Sequence, residues 1–136
     1  MTPSRPQRMT EEHPLLTVER LALIALGGFA GSNLRYFVGL LLPGLQGTLV
    51  VNVLGSFVLG FILYEALYTE LLAGTTRVVV GTGFISSFTT YSTFMVQGVG
   101  AGGWLLVANV VATYGFGFAG VLVGRYLAKA VDGGST

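Results

Sequence analysis

Four long apolar stretches, separated by short turns that contain glycine, proline or polar residues, dominate this chain. They cover about residues 19–42, 47–69, 75–97 and 103–129. Each stretch is close to the roughly 20 residues that an α-helix needs to cross about 30 Å of hydrocarbon. The pattern therefore predicts an all-α membrane protein, with four transmembrane helices forming one domain over residues 18–130.

The turns and the two ends of the chain complete this outline. Turns are predicted at Pro43–Gly44, at residues 72–75 and at the glycine-rich residues 98–103. Because all three connections are short, consecutive helices are predicted to be antiparallel neighbours. Residues 1–17 are predicted to form a flexible N-terminal tail, and residues 131–136 a short C-terminal tail.

Composition supports the bilayer as the solvent and excludes several classes of function. Hydrophobic residues make up 52% of the chain, charged residues only 10%, and the mean hydropathy is +0.74. A soluble domain carries about 25% charged residues, so a soluble core could not bury this much apolar surface. The net charge of +1 without a basic cluster argues against nucleic-acid binding. The absence of cysteine excludes disulfides and thiolate metal sites.

The chain also lacks the residue groups of an enzyme. Its one histidine, His13, lies outside the apolar stretches, and no span contains a pair of carboxylates or a metal-ligand cluster. The only acid within a span is Glu65, near the end of the second, from where it is predicted to reach the interface. The sequence therefore predicts no enzyme and argues against proton-coupled transport.

The first two spans each contain one conspicuous polar residue. Arg35, late in the first helix, is either a snorkelling side chain or a cation at a water-filled vestibule. Asn52, in the second, either bonds to a neighbouring helix or lines an ion pathway. The sequence leaves both pairs of alternatives open.

The third span carries the strongest polar signal. Side-chain hydroxyls compete with the helical backbone ladder, and non-helical backbone at this depth is tolerated only where protein or water covers it. We therefore predict a break in this helix, which frees backbone carbonyls to ligate a cation. Tyr91 and Phe94 are three residues apart and therefore share one helical face. Their ring edges either line an anion path or pack against neighbouring side chains in the ordinary way. The hydroxyl residues are Thr82, Ser86, Ser87, Thr89, Thr90, Ser92 and Thr93.

The fourth span and the small residues add packing signals. Asn109, Thr113 and Gly117 form a single stripe, which could line a pore or bond to a neighbouring helix. Close helix packing is predicted by three pairs of small residues spaced four apart: Gly27/Gly31, Ser56/Gly60 and Gly120/Gly124.

Three segments together resemble the signatures of the fluoride channel family, Fluc or CrcB. They are GGFAGSNLRY (27–36), GTLVVNVLGSFVLG (47–60) and GFISSFTTYSTF (83–94). The resemblance covers nearly the whole chain outside the tail at residues 1–17. It implies a passive, fluoride-selective channel of the cell membrane that lowers fluoride toxicity. It also implies an antiparallel dimer with two pores.

The resemblance further implies the residues of the site. A structural sodium ion on the dimer axis would be held by the backbone carbonyls of Ser86 and Thr89. The implied anion pathway begins with a vestibule arginine, Arg35, and a pore asparagine, Asn52. Its aromatic rings are Tyr91 and Phe94, and its hydroxyl track is Ser92 and Thr93. Two polar residues of the fourth helix, Asn109 and Thr113, complete it.

Two departures from the family pattern affect these expectations. Ser86–Ser87 stands where the family usually has two glycines, so glycine-permitted backbone angles are expected to be costlier here. Tyr91 replaces the first pore phenylalanine and adds a hydroxyl.

Topology and two other functions remain as alternatives. The Lys and Arg residues favour cytoplasmic termini, whereas an antiparallel dimer needs little bias. A symmetric homodimer is expected, with a heterodimer formed with a paralogue as the alternative. The other functions that the sequence allows are a small proton-coupled exporter and a non-transporting membrane assembly subunit.

Overall fold

The computed structural model describes residues 14–133, and every regular element within them is a helix. Most of the tail predicted at residues 1–17, namely residues 1–13 with His13, and residues 134–136 of the tail predicted at 131–136 lie outside the described residues. Three helices are long and apolar enough to cross a membrane, and they are interrupted in sequence by a fourth, broken span. The prediction of an all-α, multi-pass membrane protein is therefore confirmed.

The three continuous helices are α1 (Pro14–Leu41), α2 (Leu45–Tyr68) and α6 (Gly103–Asp132). The helix α1 begins before the span predicted from about residue 19, and proline is favoured in the first helical turn. The helix α6 continues beyond residue 129, where the fourth span was predicted to end. Alanine and lysine favour helix there, and the amide of Gly133 still bonds to the carbonyl of Lys129, at 3.0 Å. Both helices therefore extend into the predicted tails.

The third span is broken, as predicted. Its first half consists of α3 (Gly74–Val78), a π-helical segment (Val79–Ile85) with wider turns, and the single turn α4 (Ser86–Phe88). Its second half is α5 (Ser92–Ala101). Between them, residues 89–91 form what we call the break.

The second half of this span is longer than predicted. Its helix was predicted to end near residue 97, but α5 continues to Ala101. The chain turns only at Gly102, whose φ of 64° is a conformation that glycine adopts at little cost. The glycines at positions 98 and 100 are tolerated within the helix, so their presence alone did not mark its end.

Consecutive helices contact one another, as predicted, but the most extensive contacts do not follow the order of the chain. The extensive contacts join α1 to the first half of the third span, and α2 to α6. In the first pair, a Cβ added at Gly27 would lie 2.8 Å from the Val79 carbonyl oxygen, and one at Gly31 would overlap the Phe84 carbonyl. Small residues that allow close backbone approach decide which helices pair in lipid, and loop length does not.

The helices α2 and α6 also pack closely through small residues. A Cβ added at Gly60 would lie 2.5 Å from the Val121 carbonyl oxygen, and one at Gly120 would lie 3.0 Å from that of Val53. The predicted role of the small-residue pairs in close packing is thus confirmed. The outward surfaces of the bundle remain apolar, as the exposure of Phe29 (70%) illustrates.

Replacing Gly31 with alanine is expected to destabilise the protein by about 1–3 kcal/mol, the usual range for overpacking a tight interface. The added Cβ would meet the backbone of Phe84, which cannot move aside as a side chain can. Thermal unfolding in detergent measures the effect. The matched control is Gly39→Ala on the same helix, where a Cβ meets nothing within 4 Å. Equal stability of the two variants would contradict the assigned contact.

Candidate functional site

Side chains from two other helices contact the break. The Asn52 side-chain amide donates from Nδ2 to the Thr90 carbonyl at 3.0 Å and accepts the Thr90 N–H at Oδ1, at 2.8 Å. The Arg35 guanidinium donates from Nη1 to the Thr89 carbonyl at 3.3 Å. Of the alternatives open for Asn52, a bond to a neighbouring helix is therefore present. Arg35 is half-buried and directed at the break.

These bonds explain how the break frees backbone carbonyls. In a continuous helix the Thr90 amide would bond to the Ser86 carbonyl, and the Thr93 amide to that of Thr89. Here the first amide donates to Asn52, and the second donates to the Thr90 hydroxyl at 3.3 Å. The carbonyls of Ser86 and Thr89, the predicted cation ligands, thus both lose their helical donors.

The backbone at Ser86 requires no glycine. Its φ of −63° and ψ of −28° are ordinary helical angles. The chain leaves the helix at Thr89, whose φ of −78° and ψ of 160° are extended and open to any residue. The expected cost of the Ser86–Ser87 pair is therefore wrong, because the departure from helical geometry lies farther along the chain than the family's glycine pair.

A groove of about 400 Å³ runs between α2, the break and α6. It brings together several residues that the sequence singled out: Asn52, Thr89, Tyr91, Phe94 and Thr113. It does not include the other predicted site residues, which lie elsewhere on the chain: Arg35, Ser86, Ser92, Thr93 and Asn109. Ser92 and Thr93 are exposed on the surface of the single chain.

Three aromatic rings form a cluster at this groove. Phe94 is only 3% exposed, and its ring centroid lies 5.9 Å from that of Tyr91. Tyr114 meets Phe94 nearly edge-on, with centroids 6.3 Å apart and ring planes at 80°. The predicted proximity of Tyr91 and Phe94 is confirmed. Tyr114 was missed, because consecutive residues of a helix do not face the same way and it lies off the stripe that Thr113 belongs to.

Two buried polar atoms of α6 lack a partner. Asn109 Nδ2 and Thr113 Oγ1 make no hydrogen bond among the described residues, although both are shielded from solvent. Buried polar groups are nearly always paired, so an unpaired amide and an unpaired hydroxyl one turn apart need an explanation. Of the two sequence alternatives for this stripe, a bond to a neighbouring helix is not found within residues 14–133.

Sequence comparison gives the family. A profile described as CrcB-like protein, Camphor Resistance (CrcB), matches residues 22–125. The chain belongs to the CrcB family. It is 61% identical to the fluoride-specific ion channel FluC 1 of Haloarcula marismortui over 126 residues, which cover 93% of this chain and 98% of that protein.

Two further CrcB relatives carry similar names. The chain is 48% identical to the fluoride-specific ion channel FluC 2 of Halobacterium salinarum over 82% of its own length and 88% of the relative. It is 49% identical to the fluoride-specific ion channel FluC 1 of Natronomonas pharaonis, over 77% and 90% of the two chains. The matches therefore extend over most of each protein.

Other polar contacts in this CrcB protein were not predicted. Thr90 is 9% exposed, and its hydroxyl bonds to that of Thr93 at 3.1 Å. The Thr48 hydroxyl, 6% exposed, bonds to Gln97 Oε1 at 2.6 Å and links α2 to α5. The contact of Thr48 could have been suspected from its position, because Thr48 lies one turn before Asn52 and therefore on the same helical face.

The intramembrane acid Glu65 has a structural environment in this CrcB protein. It is 2% exposed, and Arg77 contacts both carboxylate oxygens, at 2.9 and 3.1 Å. The main-chain amide of Leu72 also donates to this carboxylate. Glu65 lies near the end of α2, as predicted, and is shielded from water because the connection after α2 folds back and supplies these partners. Every oxygen of the carboxylate is thereby engaged.

A Glu65→Gln substitution is expected to lower the thermal midpoint by several degrees while leaving ion flux per folded protein unchanged. Removing one member of a buried ion pair leaves the guanidinium of Arg77 without its counterion. Thermal unfolding and liposome flux on the same preparation measure both effects. The control is Glu19→Gln, at an exposed position of α1. Loss of flux with unchanged stability would instead support a proton-coupled exporter.

Proposed function

We propose that this chain is a subunit of a passive channel that exports fluoride across the cell membrane and so lowers its toxicity. The relatives that it matches over most of their length are named fluoride-specific ion channels. The observation that carries the proposal is the unpaired Thr113 hydroxyl in one groove with a cluster of aromatic rings that includes the buried Phe94. A polar donor without a protein partner, next to ring edges, suits a small anion.

The groove offers the kinds of contact that a dehydrated fluoride needs. Pores conduct when lining groups replace the ion's hydration shell without holding it too firmly. The Thr113 hydroxyl can donate, and the ring edges of Phe94 and Tyr114 carry partial positive charge. Asn52 Nδ2 has a second N–H besides the one that bonds to Thr90. These groups bind and release an ion without any covalent step.

Other predicted residues extend the same pathway in the proposal. The charge of Arg35 near the break raises the local anion concentration. The hydroxyls of Ser92 and Thr93 would continue the path on the exposed side of the protomer. Asn109 would supply a further donor one turn from Thr113.

Export by a passive pore requires only the membrane potential. Fluoride enters as neutral HF and dissociates at the higher internal pH, which traps the anion. An inside-negative potential then drives the anion outward by about 2.3 kcal/mol per charge per 100 mV. No coupling carboxylate is needed, which agrees with the engaged state of Glu65.

The proposal includes an antiparallel homodimer with dual topology in the cell membrane. Ser92 and Thr93 are exposed on the single protomer, so a hydroxyl track through them needs a second surface to cover it. A heterodimer with a paralogue is the competing assembly. Cross-linking of the protein expressed alone distinguishes them, because only a homodimer forms without a second gene.

The proposal also places a structural sodium ion at the carbonyls of Ser86 and Thr89. Both have lost their helical donors, and hard carbonyl oxygens suit a hard cation. The Thr89 oxygen already accepts from Arg35 and keeps a second lone pair for another partner. When bound, the ion would add a fixed positive charge beside the anion path.

Fluoride efflux from liposomes tests the function. Purified protein is reconstituted into vesicles loaded with potassium fluoride or potassium chloride, and efflux is started with a potassium ionophore. We expect ionophore-dependent loss of fluoride, no loss of chloride, and no requirement for a pH gradient. A well-folded assembly that passes no fluoride would overturn the proposal and favour a non-transporting subunit. Flux that needs a pH gradient would favour an exporter.

A further inference from the structure

One peptide unit in the break is held at both ends by side chains from different helices. The carbonyl of Thr89 and the N–H of Thr90 belong to the same peptide plane. The carbonyl end accepts from Arg35 of α1, 54 residues away, and the amide end donates to Asn52 of α2, 38 residues away. Rotating this plane would break both bonds at once.

The contact from Asn52 is specific to a carboxamide. Its Oδ1 accepts the Thr90 N–H and its Nδ2 donates to the Thr90 carbonyl, so it pairs with both main-chain groups of one residue. Only asparagine and glutamine present an acceptor and a donor side by side in this way. Asparagine is therefore suited to this position by its hydrogen bonding as well as by its polarity.

The contact also decides between two backbone conformations. Without Asn52, the Thr90 amide could donate to the Ser86 carbonyl and continue the helix. Thr90 is 9% exposed, so leaving its main-chain groups unpaired would be unfavourable. The side chain thus competes directly with the helical ladder for the Thr90 amide.

We infer that Arg35 and Asn52 form a clamp that sets the position of the break and the orientation of the Thr89 carbonyl. In this role they are positioning residues, which act through the Thr89–Thr90 peptide unit. The inference does not depend on which ion passes through the groove. It assigns to both residues a task in addition to any contact with an anion.

Hydrogen exchange at the Thr90 amide, followed by NMR on full-length protein in lipid nanodiscs without fluoride, tests the clamp. In Asn52→Leu, exchange is expected to rise by about tenfold or more, or Thr89 to take helical carbon shifts as the amide returns to Ser86. Either result supports the clamp. Extended shifts at Thr89 together with exchange within about twofold of wild type would overturn it.

Two further variants separate the clamp from simple space filling. Asn52→Asp keeps an acceptor for the Thr90 amide, so, where Thr89 of Asn52→Leu keeps extended shifts, protection is expected to survive better in Asn52→Asp than in Asn52→Leu. A space-filling role predicts the reverse order, because leucine retains the bulk without a charge. The matched control is Ser56→Ala, one turn along α2, whose hydroxyl bonds to the main-chain oxygen of Asn52 at 2.8 Å. If this control loses protection equally, the clamp is refuted.

The other arm of the clamp is tested through Arg35. Arg35→Met keeps the aliphatic stem but removes the donor to the Thr89 carbonyl, and exchange at the Thr90 amide is again expected to rise. If Asn52→Leu does not fold, exchange at the Thr90 amide in Arg35→Met tests the clamp in its place, and exchange within about twofold of wild type would overturn it. Because both residues hold one peptide unit, the thermal shifts of the double variant should be less than additive. Strict additivity would show that they act independently.

These measurements involve no ion flux, so their outcome is separate from that of the proposed channel function. A clamp that fails with fluoride efflux intact would leave the channel standing and return Asn52 to a role as anion ligand. A clamp that holds without fluoride efflux would remain a property of the fold.

Discussion

Replacing Phe94 with isoleucine is expected to lower fluoride flux by about tenfold or more, which corresponds to at least about 1.4 kcal/mol in the barrier. Phe94 is 3% exposed and lies between the rings of Tyr91 and Tyr114. Isoleucine retains much of the volume but has no positively polarised ring edge for an anion. The fold and assembly should persist, because an apolar side chain still fills the site.

Fluoride efflux from liposomes, normalised to the amount of assembled protein, measures this effect. The matched control is Phe116→Ile, on α6 but 59% exposed and outside the groove. It is expected to retain wild-type efflux. Normal efflux in Phe94→Ile would contradict the role assigned to the ring, and equal losses in both variants would indicate a general effect of removing an aromatic residue.

Replacing Thr113 with valine is expected to raise stability and reduce flux. The Thr113 hydroxyl is buried without a partner among the described residues, and such a group costs about 1–3 kcal/mol. Valine has the same shape and no polar atom, so the protein should gain about 1 kcal/mol in unfolding free energy. Fluoride would lose a donor in the groove, and efflux should fall. A gain in stability together with a loss of efflux would indicate that the Thr113 hydroxyl serves ion binding and not folding.

Thermal unfolding and efflux on the same preparation test both halves of this prediction. The comparison is Thr48→Val, because Thr48 is also shielded from solvent but its hydroxyl bonds to Gln97 at 2.6 Å. That variant is expected to lose stability. If Thr113→Val were also destabilised, the hydroxyl would have a protein partner and no need of an anion.

Much of the candidate site could be predicted because it depends on local spacing. Tyr91 and Phe94 are three residues apart on one helical face, and the structure brings their rings into contact. The run of hydroxyls around Thr89 indicated a break, which is found there. These features follow from neighbouring residues in one segment and need no knowledge of the other helices.

What the sequence missed depends on where other parts of the chain lie and on where the helix ends. Arg77 and the connection after α2 enclose the Glu65 carboxylate, which the apolar pattern of α2 does not show. Ser86 was expected to be strained, but its backbone is helical because the chain departs from the helix only at Thr89. The run of hydroxyl residues indicated a break but not the residue at which it begins.

The sequence alone determined that this protein lies in a membrane and that one of its membrane-spanning helices is broken. It also determined which small residues pack closely. These properties follow from the length of apolar runs, local competition for backbone hydrogen bonds, and residue size. Only the tertiary structure showed which helices pair, and that Arg35 and Asn52 meet at one peptide unit. The physical reason is that hydrogen bonds between segments depend on the relative positions of whole helices, which no local pattern contains.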